Sequence, residues 1–336
     1  MRRRIVVTRR LFPEAEAILA RRFNVTWPRK LRMGRGELAA ALPAAQGLLC
    51  QLTDRIDDPL ISGAPALRAI SVCAVGYDNV DVAACRRRGI RVAHTPGVLT
   101  EATADHAFAL LLAAARRIVE GDAICRRGTF PRWDLEFMLG TQVAGGTLGI
   151  VGMGRIVRAV ARRALGFGME VLYTSSSAAR FDGADSPLAG VARRIPLAGL
   201  LRRSDFVTLH VPASAATRHL IGAAELARMK RSAILINTSR GSILDESALA
   251  AALLAGRIGG AGLDVFEDEP RVPRALTRRR DVVLSPHIGS ATSATRRAMA
   301  CLAARNLAAI LGGRPAAATL VPTSSRARAG SSRARP

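Results

Sequence analysis

The chain has 336 residues, 49% of them apolar, which is more than one ordinary domain holds and predicts two globular domains. Its formal net charge of +24 would suggest a nucleic-acid ligand, but all except two of the 50 basic residues are arginines scattered along the whole chain. Aromatic residues make up only 4% and offer few stacking platforms, so we expect no specific nucleic-acid partner.

The sequence also predicts no membrane-spanning segment and no secretion signal. The longest apolar candidate, residues 102–115, is interrupted by Asp105 and His106 and is shorter than the roughly 18 to 20 residues that a spanning helix needs. The basic and then apolar N-terminus is too short for a signal peptide and is better explained as a first strand. The five cysteines are widely spaced without a Cys-x-x-Cys pair, which favours a reducing cytoplasm and neither disulfides nor a metal site.

In the first hundred residues, short β-branched runs alternate with helical patterns, which is typical of an α/β unit with a parallel sheet. A single long apolar helix is predicted next, over residues 100–126, and would link this unit to a second one. The predicted elements of the first unit are a helix at residues 13–22 and strands at residues 5–8, 47–50, 69–74 and 90–93.

A second alternation begins at residues 146–157, where a short apolar run breaks into glycines and then resumes as a helical pattern. We expect a second doubly wound sheet here, followed by a final helix at residues 291–311. From Thr323 onward the chain has no apolar periodicity and is expected to be disordered. The predicted strands are residues 148–151, 170–173, 206–209, 233–237, 259–263 and 282–284.

The glycine turn of this second unit has two explanations. In a dinucleotide-binding fold, Gly152 permits the turn and Gly154 lets the backbone approach a pyrophosphate held at the helix N-terminus. On this stretch alone, an ordinary glycine-rich turn explains the pattern equally well. Val157 stands at the third glycine position of the Gly-x-Gly-x-x-Gly pattern, where we expect it to affect helix packing rather than ligand contact.

Three polar side chains follow buried strands downstream of the turn, namely Arg240, Glu269 and His287. In an open α/β sheet, ligands bind at the carboxyl ends of the strands, so we expect these side chains to converge. A guanidinium can bind a carboxylate and polarise a carbonyl, and a histidine paired with a glutamate can act as an acid and a base. Each residue alone would be an ordinary surface or structural residue, but together they are the groups needed to reduce a 2-keto acid.

Several motifs follow one another in a recognisable order: Val75-Gly76-Tyr77-Asp78-Asn79-Val80-Asp81, Thr103-Ala104-Asp105, the glycine turn, His210-Val211-Pro212, and the stretches 237–241, 261–270 and 286–290. With them the chain, from Gly47 to Pro322, resembles the D-isomer-specific 2-hydroxyacid dehydrogenases, and within them the glyoxylate/hydroxypyruvate and 2-ketogluconate reductases. The resemblance implies an α/β protein of two Rossmann-like doubly wound parallel-sheet domains. Residues 1–100 and 288–322 would form a flavodoxin-like substrate domain, residues 101–287 an NAD(P)-binding Rossmann domain, and residues 323–336 a tail.

The resemblance also implies a role for individual positions. Arg240 would bind the carboxylate and carbonyl of the substrate, His287 would donate the proton, and Glu269 would orient and charge the histidine. Leu52 and the amides of Val75 and Gly76 would contact the substrate as well. The cofactor would be held by Thr103, Gly152, Met153, Gly154, Arg155, Ile156, Ser175, Ser176, His210, Pro212, Thr217, Thr238, Ser239, Arg240, Asp264, His287 and Gly289.

The residues after the second strand of the nucleotide unit bear on cofactor choice. No Asp or Glu stands at Ser175 or Ser176, where an NAD-preferring member would hold the 2′-hydroxyl of the ribose. A 2′-phosphate is not repelled there, so we predict that NADPH is preferred and that NAD can also serve. The arginine that usually accompanies this preference in the family is absent at Ser176, which leaves Arg180 or no residue as the charge partner.

We therefore predict a cytoplasmic NAD(P)H-dependent reductase that converts small 2-keto acids (glyoxylate, hydroxypyruvate or 2-ketogluconate) to D-2-hydroxy acids. The family places a tryptophan at about the position of Trp133 across a dimer, near the partner's active site, so the resemblance implies a symmetric homodimer. A tryptophan in the protein core is the alternative explanation of Trp133. The competing function is that of a dinucleotide-sensing, transcriptional co-repressor-like interaction protein. A sensor need not retain a proton donor, so the presence of Arg240, Glu269 and His287 disfavours it.

Overall fold

A computed structural model of the protein describes residues 2–176, 191–314 and 319–322. The chain divides into two compact units, each built on its own sheet. The first unit holds the described residues up to Leu99 and those from Ala291 onward, and the second holds Thr100–Ser290. The tail predicted from Thr323 lies outside the described residues.

The first unit is built on a five-stranded sheet. Its strands are β1 (Arg4–Val7), β2 (Asn24–Thr26), β3 (Gly47–Cys50), β4 (Ala69–Val72) and β5 (Arg91–Ala93), and its helices, numbered along the whole chain, are α1 (Pro13–Ala20), α2 (Arg35–Ala41), α3 (Asp58–Ser62), α4 (Val82–Arg87) and α12 (Ser293–Leu311). All strand pairs are parallel, in the order β2-β1-β3-β4-β5. The Ser71 hydroxyl donates to the carbonyl of Ala303 at 2.9 Å and fixes α12 against β4.

The second unit is built on a seven-stranded sheet. Its strands are β6 (Thr147–Val151), β7 (Glu170–Thr174), β8 (Ala192–Arg194), β9 (Phe206–Leu209), β10 (Ile234–Asn237), β11 (Gly260–Leu263) and β12 (Val282–Leu284). Its helices are α5 (Thr100–Ala115), α6 (Ile118–Cys125), α7 (Arg155–Gly166), α8 (Leu197–Arg203), α9 (Ala223–Leu226), α10 (Glu246–Leu254) and α11 (Arg274–Thr277). The strand order β12-β11-β10-β9-β6-β7-β8 reverses direction at β6, so a ligand crevice is expected where β6 and β9 end.

These two parallel sheets confirm the predicted fold class, but the prediction of one long helix was wrong, two strands were missed, and the alternative considered for Trp133 is excluded. The single helix over residues 100–126 is two helices, because Arg117 adopts a left-handed conformation (φ 53°) between α5 and α6. The strands β2 and β8 were missed, since each is a three-residue edge strand without a buried apolar run. Trp133, for which a core position was the alternative, is 82% exposed.

Within the described ranges, no helix is long and apolar enough to span a membrane. No cluster of three or more His, Cys, Asp or Glu side chains suited to a metal occurs in the same part of the chain. All five cysteines are unpaired thiols.

Candidate active site

Three polar side chains lie beyond neighbouring strands at one edge of the second sheet. β10, β11 and β12 are adjacent and parallel, so their carboxyl ends meet at the same edge. Arg240 follows β10, Glu269 follows β11 and His287 follows β12. The order of the strands therefore brings together residues that are almost fifty positions apart in the sequence.

His287 and Glu269 form a hydrogen-bonded pair. Nδ1 of His287 lies 2.8 Å from Oε2 and 3.1 Å from Oε1 of Glu269. Burial opposes ionisation of Glu269, but the hydrogen bond and charge of His287, the Phe266 N–H and the charge of Arg240 lower its pKa below the ordinary 4.5. An ionised carboxylate only accepts hydrogen bonds, so Nδ1 of His287 carries a proton and Nε2 is the ring nitrogen that can serve a substrate.

The turn that carries Arg240 is shaped by Asn237. The buried Asn237 side chain accepts hydrogen bonds from the N–H and hydroxyl of Ser239 at 3.1 and 2.9 Å, and it donates to the carbonyl of Arg240 at 2.9 Å. Gly241 comes next, and a Cβ there would lie 1.9 Å from the carbonyl carbon of Phe266. Only glycine lets this turn lie directly on the backbone that leads to Glu269.

The backbone on both sides of His287 is held by one residue, Asp264. The Asp264 carboxylate, 1% exposed, accepts hydrogen bonds from the N–H groups of Ile288 at 2.8 Å and Gly289 at 2.7 Å, and its main-chain carbonyl accepts one from the His287 N–H at 2.8 Å. His287 has a left-handed conformation (φ 54°), which costs about 1–3 kcal/mol and persists only where surrounding contacts over-determine it. These three hydrogen bonds supply such contacts.

Two more side chains contact Asp264, and sequence analysis did not place either in the site. Ser285 Oγ donates to Oδ1 of Asp264 at 2.6 Å, and Nε2 of His106 lies 2.9 Å from Ser285 Oγ and 3.2 Å from the same Oδ1. Burial opposes ionisation of Asp264, but hydrogen bonds from His106, Ser285 and the Ile288 N–H lower its pKa. The signal in the sequence was a histidine inside an otherwise apolar helix.

The glycine turn lies where the strand order reverses, and its geometry fits a dinucleotide pyrophosphate. Gly152 has φ 130°, and a Cβ there would lie 2.5 Å from the carbonyl oxygen of His210. Gly154 precedes α7, no side chain of the described residues caps this helix, and a Cβ on Gly154 would meet no atom within 4 Å. The first N–H groups of α7 therefore have an open cradle before them, where the helix dipole favours an anion.

The residues around this turn divide between the core and the surface. Met153 and Ile156 are half-buried against the hydrophobic core, and Arg155 is exposed at the start of α7. Val157 is fully buried in the same cluster, which includes the small side chains of Ala104 and Ala161. The valine at the third glycine position is thus part of the core of this unit.

The predicted adenosine residues follow β9. Thr208 Oγ1 and Nε2 of His210 are 2.8 Å apart, and burial lowers the pKa of His210 to about 4, so that its ring is neutral at physiological pH. Thr217 donates from its hydroxyl to the carbonyl of Pro212 at 2.7 Å, which closes the loop after His210.

On the predicted nicotinamide side, one hydroxyl lacks a hydrogen-bond partner. Thr238 Oγ1, directly after β10, is buried and bonded to no group within the described ranges. Thr103 is buried in α5, and a Cβ on Gly289 would lie 3.7 Å from its methyl group. These residues lie along the same sheet edge as Asp264 and His287.

The predicted ribose residues, Ser175 and Ser176, follow β7. Arg194, on the neighbouring strand β8, donates from Nη2 to the carbonyl of Ser175 at 2.7 Å. No local pattern in the sequence marks Arg194, because its position beside Ser175 depends on the pairing of β7 with β8. The charge partner considered earlier, Arg180, lies outside the described residues.

The predicted substrate loops of the first unit follow β3 and β4. Leu52 comes after β3 and residues 75–76 come after β4. Asn79 donates from Nδ2 to the carbonyl of Gln51 at 2.9 Å, which ties the two loops together. Nδ1 of His94 donates to the carbonyl of Val75 at 2.8 Å and steadies the second loop.

The chain is similar to proteins of one known family. The family described as D-isomer specific 2-hydroxyacid dehydrogenase, NAD binding domain, matches residues 108–289. A glyoxylate reductase of Thermococcus kodakarensis is 46% identical over 93% of this chain and 94% of its own.

Solved structures give the same result. A crystal structure of a Thermus thermophilus protein has a TM-score of 0.86 and 44% identity, with 95% of this chain and 100% of that chain covered. The NADPH-dependent glyoxylate/hydroxypyruvate reductase of Sinorhizobium meliloti, solved with NADP and malonate, has a TM-score of 0.83 and 34% identity, covering 96% of this chain and 98% of that one. The chain therefore belongs to the D-isomer-specific 2-hydroxyacid dehydrogenase family and is an NAD(P)-dependent oxidoreductase.

Proposed function

We propose that the protein uses NADPH to reduce small 2-keto acids to D-2-hydroxy acids. Glyoxylate and hydroxypyruvate are the first candidate substrates, and 2-ketogluconate is a further candidate. The observation that carries this proposal is the His287–Glu269 hydrogen bond at 2.8 Å beside the Arg240 turn. The names of the similar reductases support the choice of substrates. We assign the reaction to the cytoplasm, where the five unpaired cysteines would stay reduced.

The chain's own residues supply binding and proton transfer. The reduced nicotinamide supplies a hydride when bound. Arg240 binds the substrate carboxylate and polarises its carbonyl through paired donors. The amides of residues 75–76 are proposed to bind the carboxylate as well, and Leu52 is a further proposed substrate contact. His287 donates the proton on Nε2 to the keto oxygen, and the ionised Glu269 stabilises the protonated ring before the transfer. A positioned acid of this kind contributes roughly 10²–10⁴ in rate.

The proposed cofactor site follows the strand ends from the glycine turn to the catalytic histidine. The pyrophosphate would lie in the cradle formed by Gly152, Gly154 and the start of α7. The remaining residues proposed to hold the dinucleotide are Thr103, Met153, Arg155, Ile156, Ser175, Ser176, His210, Pro212, Thr217, Thr238, Ser239, Arg240, Asp264, His287 and Gly289.

The preference for NADPH is supported by charge at the ribose end of this site. Ser175 and Ser176 place no carboxylate there, and the Arg194 guanidinium lies against the Ser175 carbonyl at 2.7 Å. A guanidinium suits a 2′-phosphate, whereas an NAD-specific site offers a carboxylate to the 2′-hydroxyl. Arg194→Gln is expected to lower kcat/KM with NADPH at least tenfold and to leave the value with NADH within threefold. Equal losses with both cofactors would contradict this assignment.

The protein is proposed to form a symmetric homodimer through its second unit. Large apolar side chains are exposed along α6 and the stretch that follows it, although the chain has few aromatic residues. Such clusters on a soluble protein mark interaction surfaces. The exposed residues are Ile118, Val119, Phe130, Trp133, Leu135 and Leu139.

The test is oxidation of NADPH and NADH, followed at 340 nm, with a panel of 2-keto acids. His287→Ala is expected to lower kcat by roughly 10²–10⁴, because it removes an acid that acts in the transition state. Arg240→Ala is expected mainly to raise KM for the keto acid. A His287→Ala enzyme with nearly normal kcat contradicts the assignment, and dinucleotide binding without turnover of any keto acid would favour a sensor.

A further inference from the structure

Asp264, Ser285 and His106 form a hydrogen-bond chain with a defined direction. The ionised Asp264 carboxylate only accepts, so the 2.6 Å contact uses the single hydroxyl proton of Ser285. At the 2.9 Å contact Ser285 Oγ must therefore accept, and Nε2 of His106 must carry the proton. The same N–H also faces Oδ1 of Asp264 at 3.2 Å.

This arrangement is unsuited to hydrolysis, although it contains a serine, a histidine and an aspartate. In a Ser-His-Asp triad, the carboxylate and the serine bind opposite ring nitrogens, and the histidine accepts the serine proton. Here both partners face Nε2 of His106, and the proton of Ser285 is already donated to Asp264. These hydrogen bonds can orient the Asp264 carboxylate but cannot activate Ser285 as a nucleophile.

The hydrogen-bond chain ends, through Asp264, at the loop that carries the proposed proton donor His287. Asp264 binds the N–H groups of His287, Ile288 and Gly289, and Ser285 begins the same loop. Because His287 is held in a left-handed conformation, its ring position depends on these contacts. Asp264 in turn is oriented by side chains from two elements, His106 on α5 and Ser285 after β12.

We propose that His106 and Ser285 are positioning residues for the reduction: by orienting Asp264 they fix the loop of residues 285–289 and hold the ring of His287 against Glu269. The inference rests on the proposed role of His287 as proton donor. Neither residue takes part in the Arg240 turn or in the glycine cradle of the second unit. Asp264 and Gly289, which they support, belong to the nicotinamide end of the proposed cofactor site. Loss of His106 or Ser285 should therefore lower kcat most, NADPH affinity less, and KM for the keto acid least. A misplacement of about 1 Å at a reacting group can cost roughly 10²-fold in rate.

The experiment compares two removals with two conservative replacements. His106→Leu and Ser285→Ala remove the donors, whereas His106→Gln keeps an N–H at the position of Nε2 and Ser285→Thr keeps the hydroxyl. Asp105→Asn is the matched control on α5, because it changes only the charge of the 69%-exposed Asp105 side chain, which pairs with Arg163 at the surface. For each protein, kcat and KM are measured together with NADPH affinity by calorimetry, and amide hydrogen exchange of residues 285–290 is followed by mass spectrometry.

We expect His106→Leu and Ser285→Ala to lose at least tenfold in kcat, with KM for the keto acid within threefold of wild type, a loss of NADPH affinity smaller than the loss of kcat, and faster exchange in residues 285–290. His106→Gln and Ser285→Thr should recover kcat to within threefold of wild type, and Asp105→Asn should match wild type. Unchanged kcat and exchange in both removals would overturn the inference, as would equal losses in the removals and their conservative replacements. A wild-type enzyme without keto-acid turnover would instead overturn the proposed function, and the exchange measurement would still test the loop support.

Discussion

Adding one methyl group at Gly241 should separate the two loops that carry Arg240 and Glu269. A Cβ at this position would lie 1.9 Å from the carbonyl carbon of Phe266 and 2.3 Å from the N of Glu267, whereas real contacts are not shorter than 3.0 Å. Both atoms belong to the main chain, so neither can turn aside as a flexible side chain would. The two backbones must part by about 1 Å, which is enough to cost roughly 10²-fold in kcat/KM.

The same change should lower stability by an amount set by overpacking. Forcing a methyl group into a filled site costs about 1–3 kcal/mol, and in a unit of this size each kcal/mol lowers Tm by about 2–4 °C. Gly241→Ala is therefore expected to lose roughly 10²-fold in kcat/KM for NADPH-dependent reduction and about 2–12 °C in Tm, measured by absorbance at 340 nm and by thermal melting.

Gly166→Ala is the matched control for this prediction. Gly166 ends α7 in the same unit, and a Cβ there would meet no atom within 4 Å. Its replacement should leave kcat/KM within twofold and keep or slightly raise Tm, because alanine suits a helix better than glycine. A Gly241→Ala protein that also keeps kcat/KM within twofold and Tm within 1 °C would refute the inference that this close backbone contact positions the site.

Three further predictions concern the cofactor, acid stability and assembly. Gly154→Val should abolish NADPH binding in calorimetry, because the valine side chain would fill the cradle. Val157→Gly should lower Tm, since Val157 is fully buried, and should keep NADPH affinity within threefold. Equal losses of affinity in the two variants would exclude this cradle as the pyrophosphate site. Because the pKa of Glu269 is lowered in the folded protein, its ionised form stabilises the fold at pH values above the ordinary 4.5, and this stabilisation is lost as pH falls through the lowered value. The Tm difference between wild type and Glu269→Gln should therefore shrink from pH 5.5 to pH 3. A constant difference would contradict this. Trp133→Asp should convert a dimer to a monomer in sedimentation at micromolar concentration, whereas an unchanged dimer would place the interface elsewhere.

The sequence by itself determined the fold class and most of the internal strands. Buried parallel strands are continuous apolar runs, so their positions can be read from a short window of residues. The predicted strands at residues 47–50 and 206–209 have the same bounds as β3 and β9. The edge strands β2 and β8 could not be found in this way, because these two short strands contain no apolar run and are defined only by pairing with a neighbour.

The catalytic candidates could also be found from the sequence, because Arg240, Glu269 and His287 each interrupt an apolar pattern directly after a strand. What surrounds them was decided by tertiary structure. Gly241 is required by the backbone of Phe266, Arg194 reaches Ser175 through the pairing of β7 with β8, and His106 reaches Ser285 across 179 positions of the chain. Such contacts between distant residues depend on the order of the strands in the sheet and on how closely two backbone segments approach. No local pattern of residues encodes either feature.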